Sequence, residues 1–329
     1  MIINTIESHT AGEPLRLIVG GFPRIEGRTI LEKREFIRER FDHLRRALML
    51  EPRGHLDMYG ALLTEPEREG SDAGVLFMHN EGFSTMCGHG VIAVVTIALE
   101  RGLLTLPAGR DEVILDAPAG PVHARATRDG ARVSRVSFRN VPSFVLHAAV
   151  PVRLGTRDLR ADVAFGGAFY AIVDSEAAGI PIVPGRLGDL RAAGMAIKRA
   201  VEEAVRVVHP EEPGLHGIYG TIFTGPASAP GADLRNVTIF ADAEVDRSPC
   251  GTGTAAVMAV LAAMEVLPPE QTFTHESIIG TTFRGRVTGR STVGELPAIV
   301  PEIEGEAYIT GESAFLIDEA DPLAYGFRL

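Results

Sequence analysis

The stretch Met86-Cys87-Gly88-His89-Gly90 decides how this chain is read, and it has an echo near the other end, Pro249-Cys250-Gly251-Thr252-Gly253. The two cysteines of the chain both stand in a Cys-Gly-x-Gly element. Each is followed by an apolar run of helical character: GHGVIAVVTIALERGLL after Cys87 and GTGTAAVMAVLAAMEVL after Cys250. With the cysteines aligned, Ala93 matches Ala256 and Val94 matches Val257. One device is used twice: a tight turn, a thiol and a helix N-terminus. The cysteines stand about half the chain apart, the spacing of two lobes that each carry one copy.

The rest of the chain fits that division. Ile2 to Ile6 and Leu15 to Val19 read as strands around the turn-rich loop His9-Thr10-Ala11-Gly12-Glu13-Pro14. Thr29 to Leu50 spaces apolar residues helically among many charges and reads as one amphipathic helix. Met58 to Leu63 and Ala73 to Met78 are expected strands. The helix after Cys87 should stop near Arg101, at Gly102. Glu112 to Asp116 reads as a strand, and Ala117-Pro118-Ala119-Gly120-Pro121 is the expected lobe boundary. Further strands are expected at Val122 to Ala126, Arg132 to Phe138 and Phe144 to Val150. A Gly166-Gly167 step precedes the strand-like Ala168 to Val173. Leu187 to Val208 reads as a long helix, and Gly225-Pro226 through Pro230-Gly231 as a surface loop. The strand Asn236 to Ala241 leads into Asp246-Arg247-Ser248-Pro249-Cys250. Strand, turn, thiol, helix is thus the order in both halves. An α+β fold of two similar lobes follows. One spans residues 1–120, carries Cys87 and receives the returning residues 308–329; the other spans 121–307 and carries Cys250.

Composition narrows the classes. The chain has 329 residues, 45% of them hydrophobic and 23% charged, ordinary values for a globular protein. A net charge of −11, from 32 basic and 43 acidic residues, argues against a nucleic-acid or anionic-membrane surface. The N-terminus MIINTIESHTAGEP has neither the basic region nor the apolar core of a signal peptide. The apolar run Ala255 to Met264 is far too short to span a bilayer. Two cysteines without a CxxC cannot build a metal cage by themselves. A cytoplasmic enzyme with reduced thiols is the expectation.

A helix N-terminus exposes N–H groups without internal partners and adds partial positive charge. Glycines let a ligand approach that backbone closely. Such a place suits a carboxylate and favours the ionised form of a nearby cysteine. Two such helices aimed at one carboxylate would put a sulfur on each face of the ligand. Inversion at the Cα of an amino acid needs that arrangement: a base on one face and an acid on the other. The N–H groups would steady the enediolate that develops on the carboxylate. The scheme requires no metal or pyridoxal cofactor, and the sequence has a motif for neither.

These residues resemble the proline racemase family across nearly the whole chain. The resemblance rests on His9 to Pro14, Glu51-Pro52-Arg53-Gly54-His55, Met86-Cys87-Gly88-His89 and Asp246-Arg247-Ser248-Pro249-Cys250-Gly251-Thr252-Gly253. It implies two pseudo-symmetric lobes of the diaminopimelate-epimerase-like fold, each a curved, mostly antiparallel sheet around a central helix. It further implies an active site in the cleft between lobes, a homodimer, a small imino-acid substrate and no cofactor. Cys87 and Cys250 would be the acid/base pair. Gly88, His89, Gly251 and Thr252 would hold the substrate carboxylate, mainly through backbone. Asp246 would accept a hydrogen bond from the ring ammonium, and Phe240 would touch the ring. The family includes proline racemase, 4-hydroxyproline 2-epimerase and trans-3-hydroxy-L-proline dehydratase. Met58 to Leu63, Val75 to Gly82, Ala164 to Tyr170 and Phe240-Ala241-Asp242 resemble the dehydratase branch most. That branch typically has threonine where this chain has Cys250, so the second thiol weighs toward racemase or epimerase, with dehydratase as the alternative.

Plainer readings stand beside these. A lone cysteine before a helix is usually a small buried hydrophobe; two copies with the same glycines argue for chemistry. A zinc site of Cys87, His89 and Cys250 has unusual ligand spacing. His89 could simply cap or pack, and Asp246 could be a turn residue. A binding protein that closes over an amino acid without reacting is the alternative from another class.

Overall fold

Alternation of β-branched and polar residues makes β1 (Ile2–Thr10) the first strand of the computed structural model, which describes residues 1–107, 109–269 and 271–328. β1 pairs antiparallel with β2 (Glu13–Gly20). The expected single helix that follows is two, α1 (Ile30–Arg40) and α2 (Asp42–Met49). Thr29 caps α1 in a capping box with Glu32. The break is at Phe41, whose φ of −131° and ψ of 16° leave the helical region. There the Phe41 ring lies 6.0 Å from Phe22 and 5.7 Å from Phe36, centre to centre. Two short helices bury Ile30 and Ile37 from one and Leu44, Leu48 and Met49 from the other.

The first unit continues with β3 (Tyr59–Thr64), parallel to β2, and β4 (Ala73–His79), antiparallel to β3. β5 (Phe83–Ser84) leads to α3 (Gly88–Glu100). Then come β6 (Glu112–Ala117), parallel to β4, β7 (Gly120–Asp129), antiparallel to β6, and β8 (Arg132–Arg139). The stretch 117–121 is therefore the turn of a hairpin and not a lobe boundary. Ala117 pairs with Gly120 across it, and β7 buries Val122 and Ala124 in the first unit. The chain divides after Phe138, into Met1–Phe138 with Glu306–Leu329 and Arg139–Gly305.

The second unit holds β9 (Ser143–Leu154), β10 (Arg157–Phe165), β11 (Phe169–Asp174), α4 (Ser175–Ala178) and α5 (Leu187–Ala204). It continues with β12 (Gly220–Pro226), β13 (Leu234–Phe240), β14 (Glu244–Asp246) and α6 (Gly251–Ala263). It closes with β15 (Phe273–Glu276), β16 (Thr282–Val293) and β17 (Leu296–Gly305). α5 ends four residues before the expected Val208. Val205 is extended at φ −140° and ψ 151°, and Val208 bridges to His216. Gly225 and Pro226 belong to β12, so the surface loop starts after them. Strand pairings run β9–β10–β11–β12–β13–β15–β16–β17 and return from β17 to β9, where Ala298 meets Phe144. This ring of strands wraps α6, which packs on β9, β10, β11, β16 and β17. β18 (Ala307–Leu316) then returns to the first unit and pairs with β1 from Ile2↔Leu316 to Thr10↔Ala307. Leu329, the last residue of the returning segment, lies outside the described residues.

The two units repeat one topology. β1 to β2, β3 to β4 and β6 to β7 are antiparallel, while β2 to β3 and β4 to β6 are parallel. The second unit runs through β10, β11, β12, β13, β15 and β16 with the same alternation. α3 and α6 occupy the same place in that order, each just after a very short strand. Both are apolar all round, as a helix enclosed by its own sheet must be: every residue from Gly88 to Leu99 and from Gly251 to Val260 is buried. No helix is long and apolar enough to cross a membrane among the described residues.

Candidate active site

In the first unit Cys87 is the N-cap of α3, in extended backbone at φ −147° and ψ 111°. Its Sγ accepts the Gly90 N–H at 3.2 Å, one of the donors that a helix start leaves unpaired. A Cβ on Gly90 would lie 2.5 Å from the Phe77 ring and 2.9 Å from the sulfur, so only glycine fits beneath this thiol. His89 sits on the same turn with Nδ1 3.2 Å and Nε2 3.7 Å from Sγ. The imidazole is buried edge-on against Tyr59, 4.7 Å between centres, and the His89 carbonyl accepts from Thr10 Oγ1 at 2.9 Å. Tyr59 itself hydrogen-bonds Ser84 and stacks on His79.

In the second unit Cys250 is the N-cap of α6, and its Sγ accepts the Gly253 N–H at 3.3 Å. A Cβ on Gly253 would lie 2.9 Å from that sulfur. The backbone differs from that of Cys87: φ is +61° and ψ 108°. A non-glycine residue held there costs on the order of 1–3 kcal/mol. Hydroxyls replace the imidazole. Thr252 Oγ1 is 3.7 Å and the Tyr170 hydroxyl 3.8 Å from Sγ, the two hydroxyls are 2.7 Å apart, and Thr238 lies beside the sulfur. Burial, reinforced by the nearby Asp246 carboxylate, pushes the Cys250 thiol up to about 12. Burial likewise holds the Tyr170 phenol well above its usual range, with the Cys250 sulfur adding to the effect.

Each residue singled out in the sequence now has a place. Gly88 and His89 open α3; Gly251 and Thr252 open α6. Asp246 ends β14, and its Oδ1 accepts from Ser248 N at 2.8 Å and Ser248 Oγ at 2.7 Å. That carboxylate thus also builds the turn before the thiol. Phe240 ends β13 and stacks on Tyr219 at 5.4 Å, which in turn meets Tyr170 edge-on at 5.9 Å. The Gly166-Gly167 step lets the chain pass against the first turn of α6, where a Cβ on Gly166 would collide with the Thr252 carbonyl. Glu13 is wholly buried, and Arg53 spends its donors on the Leu316 and Ala324 carbonyls.

Ser248, Tyr170, Thr238 and Tyr59 join these clusters without having been singled out. Ser248 stood inside the quoted motif two residues before Cys250, which was the available signal. Tyr170 and Thr238 lie on β11 and β13, and only strand pairing brings them to the α6 N-terminus. Among the described residues no three His, Cys, Asp or Glu side chains come together to hold a metal ion. A groove of about 1050 Å³ in the first unit runs past Gly21, Leu63 and Thr64 and includes none of the residues above.

Known proteins are similar to this chain over nearly its whole length. A profile of the proline racemase family matches residues 5–328. A trans-3-hydroxy-L-proline dehydratase from Bacillus cereus is 48% identical over 328 residues, covering 100% of this chain and 98% of that protein. A 3-hydroxyproline 2-epimerase from Burkholderia multivorans is 44% identical, covering 99% of this chain and 97% of its own. The crystal structure of a hydroxyproline epimerase from Agrobacterium vitis, with bound trans-4-hydroxy-L-proline, superposes with a TM-score of 0.92 at 32% identity, covering 100% of this chain and 96% of that one. With the match running from the first strand to the end of the returning segment, the chain belongs to the proline racemase family.

Proposed function

We propose that this enzyme inverts the Cα configuration of proline or a hydroxyproline, with Cys87 and Cys250 as the acid/base pair. The observation that carries this reading is the repeated thiol. In each unit a buried cysteine caps a buried helix and accepts the N–H of a glycine three residues on. In the forward direction the Cys87 thiolate takes the Cα proton, with His89 as its neighbouring proton carrier. The Cys250 thiol, kept protonated by burial, delivers its own proton to the opposite face. Sulfur charge and proton have then changed places, and the reverse turnover restores them. Backbone N–H groups at Gly88, His89, Gly251 and Thr252 would bind the carboxylate and steady its enediolate. Asp246 would receive the ring ammonium at Oδ2, since Oδ1 serves Ser248. Phe240, held in place by stacking on Tyr219, would bound the ring.

A second reading is favoured by the 48% identity to the Bacillus cereus dehydratase. Here Cys87 removes the Cα proton of trans-3-hydroxy-L-proline. The C3–O bond breaks, the hydroxyl leaves as water after taking one proton, and the resulting enamine tautomerises to a cyclic imine. The 3-hydroxyl of this isomer lies on the same face as the Cα hydrogen, so its proton would come from the Cys87 side and Cys250 on the far face would not be needed.

Proton NMR of the purified enzyme in D2O, run with L-proline, trans-4-hydroxy-L-proline and trans-3-hydroxy-L-proline, separates the readings. Deuterium at Cα with conversion to the opposite configuration is expected. Conversion of the 3-hydroxyproline signals to those of a cyclic imine, with the other two substrates untouched, would establish the dehydratase. Binding without exchange at Cα would leave only the binding-protein alternative.

A further inference from the structure

The peptide group joining Pro249 to Cys250 is held at both ends by side-chain hydroxyls. Its N–H, on Cys250, donates to Ser248 Oγ at 3.1 Å. Its carbonyl, on Pro249, accepts from Thr254 Oγ1 at 3.1 Å. Each hydroxyl is fixed in turn by a buried partner. Ser248 Oγ donates to Asp246 Oδ1, and Thr254 Oγ1 lies 2.9 Å from His275 Nδ1. A threonine hydroxyl has one proton, and the Pro249 carbonyl takes it, so His275 Nδ1 is the donor in the last pair. The line Nδ1–H to Oγ1–H to carbonyl therefore selects one neutral tautomer of His275. The ring is wholly buried on β15, and burial alone takes its ionisation down to about 3.

The orientation of this peptide plane sets the conformation of Cys250. Rotating the plane by half a turn changes ψ of Pro249 and φ of Cys250 together, and would return Cys250 from φ +61° to the negative values that L residues prefer. Such a flip must break both hydroxyl bonds at once. Thr254 anchors α6 from a second direction, since its own N–H donates to the Cys250 carbonyl at 2.7 Å. None of the proton-transfer steps proposed above uses His275 or Thr254.

We propose that His275, acting through the Thr254 hydroxyl, is a positioning residue that locks the Pro249–Cys250 peptide plane and so aims the Cys250 thiol. Ser248 on Asp246 is the opposing pin. The inference rests on the acid/base reading above, which makes the aim of this sulfur matter.

The test uses the full chain with Thr254→Val, which removes the hydroxyl at nearly constant shape, and Thr254→Ser, which keeps it. For imino-acid inversion, Thr254→Val should lower kcat by about tenfold or more while KM stays within about twofold, a loss confined to the transition state. Thr254→Ser should recover most of the rate. His275→Asn, whose side-chain N–H can stand in for Nδ1–H, should retain more kcat than His275→Leu. A second readout is independent of turnover: the rate of Cys250 alkylation by iodoacetamide in a Cys87→Ser background, which Thr254→Val should change severalfold and Thr254→Ser should not. Unchanged kcat and unchanged alkylation in Thr254→Val would overturn the lock. So would equal losses in the valine and serine variants. If instead Cys250→Ser itself inverts substrate at the normal rate, the acid/base reading fails, while the alkylation series still decides whether the peptide plane is held.

Discussion

Cys87 and Cys250 occupy the same place in two copies of one topology, yet their surroundings differ. Cys87 sits in relaxed extended backbone beside an imidazole. Cys250 sits at φ +61° among hydroxyls, with its thiol held up at about 12. The shared part is a helix start, a buried sulfur and the glycine N–H that this sulfur accepts. The unshared part suits the proposed proton transfer, since two groups that exchange one proton must differ in which holds it at the start. The repeated motif holds the frame, and its variable position (His89 or Thr252) together with Tyr170 from β11 makes the two thiols unequal.

The comparison breaks most visibly if the thiols prove interchangeable. Cys87→Ala should abolish both Cα exchange and any dehydration, a fall of about a thousandfold or more. Cys250→Ser should remove inversion to a similar degree and leave carboxylate binding largely intact. Isotope exchange and inversion measured from each enantiomer check both, and an active Cys250→Ser would end the two-base reading.

The shared frame is probed by its glycines. Gly90→Ala and Gly253→Ala each press a methyl against the adjoining sulfur, and at Gly90 also against Phe77. A loss of about 1–3 kcal/mol in unfolding free energy is expected for each, larger at Gly90, from denaturant titration.

The asymmetry also has a pH signature. Cys250 titrates near its ordinary 9 when unfolded and near 12 when folded, so between those values the folded chain binds the extra proton. Stability from this group is complete below about pH 9 and declines as pH rises, by up to about 1.4 kcal/mol per pH unit. Replacing Cys250 by serine should flatten that part of the curve, read as the difference between variant and parent unfolding at matched pH. The smallest effect belongs to Thr252→Val, which removes the Tyr170–Thr252 hydroxyl pair and should lower the inversion rate by only a few-fold.

Much of the site was legible because it is local. Cys87, His89 and Gly90, or Asp246, Ser248, Cys250 and Gly253, meet through one turn of chain, so spacing alone brings them together. The same locality explains the two helix errors. Apolar spacing continues through Phe41 and through Val205 to Val208, but ring packing breaks the first helix, and an extended segment that bridges to His216 ends the second. The turn at 117–121 carries the marks of a boundary because a hairpin turn and a linker use the same residues. The pairing of β7 with β6 and the burial of Val122 and Ala124 assign it to the first unit.

By itself the sequence determined the duplicated thiol device, the α+β class and the family, because these are written in short motifs and periodicity. The tertiary structure alone decided that Tyr170 and Thr238 surround Cys250 and that His275 reaches Thr254 from a strand that follows α6. It also decided that the second thiol stands on strained backbone and is pushed up to about 12 by burial. Those are consequences of pairing and burial between residues distant along the chain, and no local pattern encodes the dielectric or the partners that a side chain meets once it is enclosed.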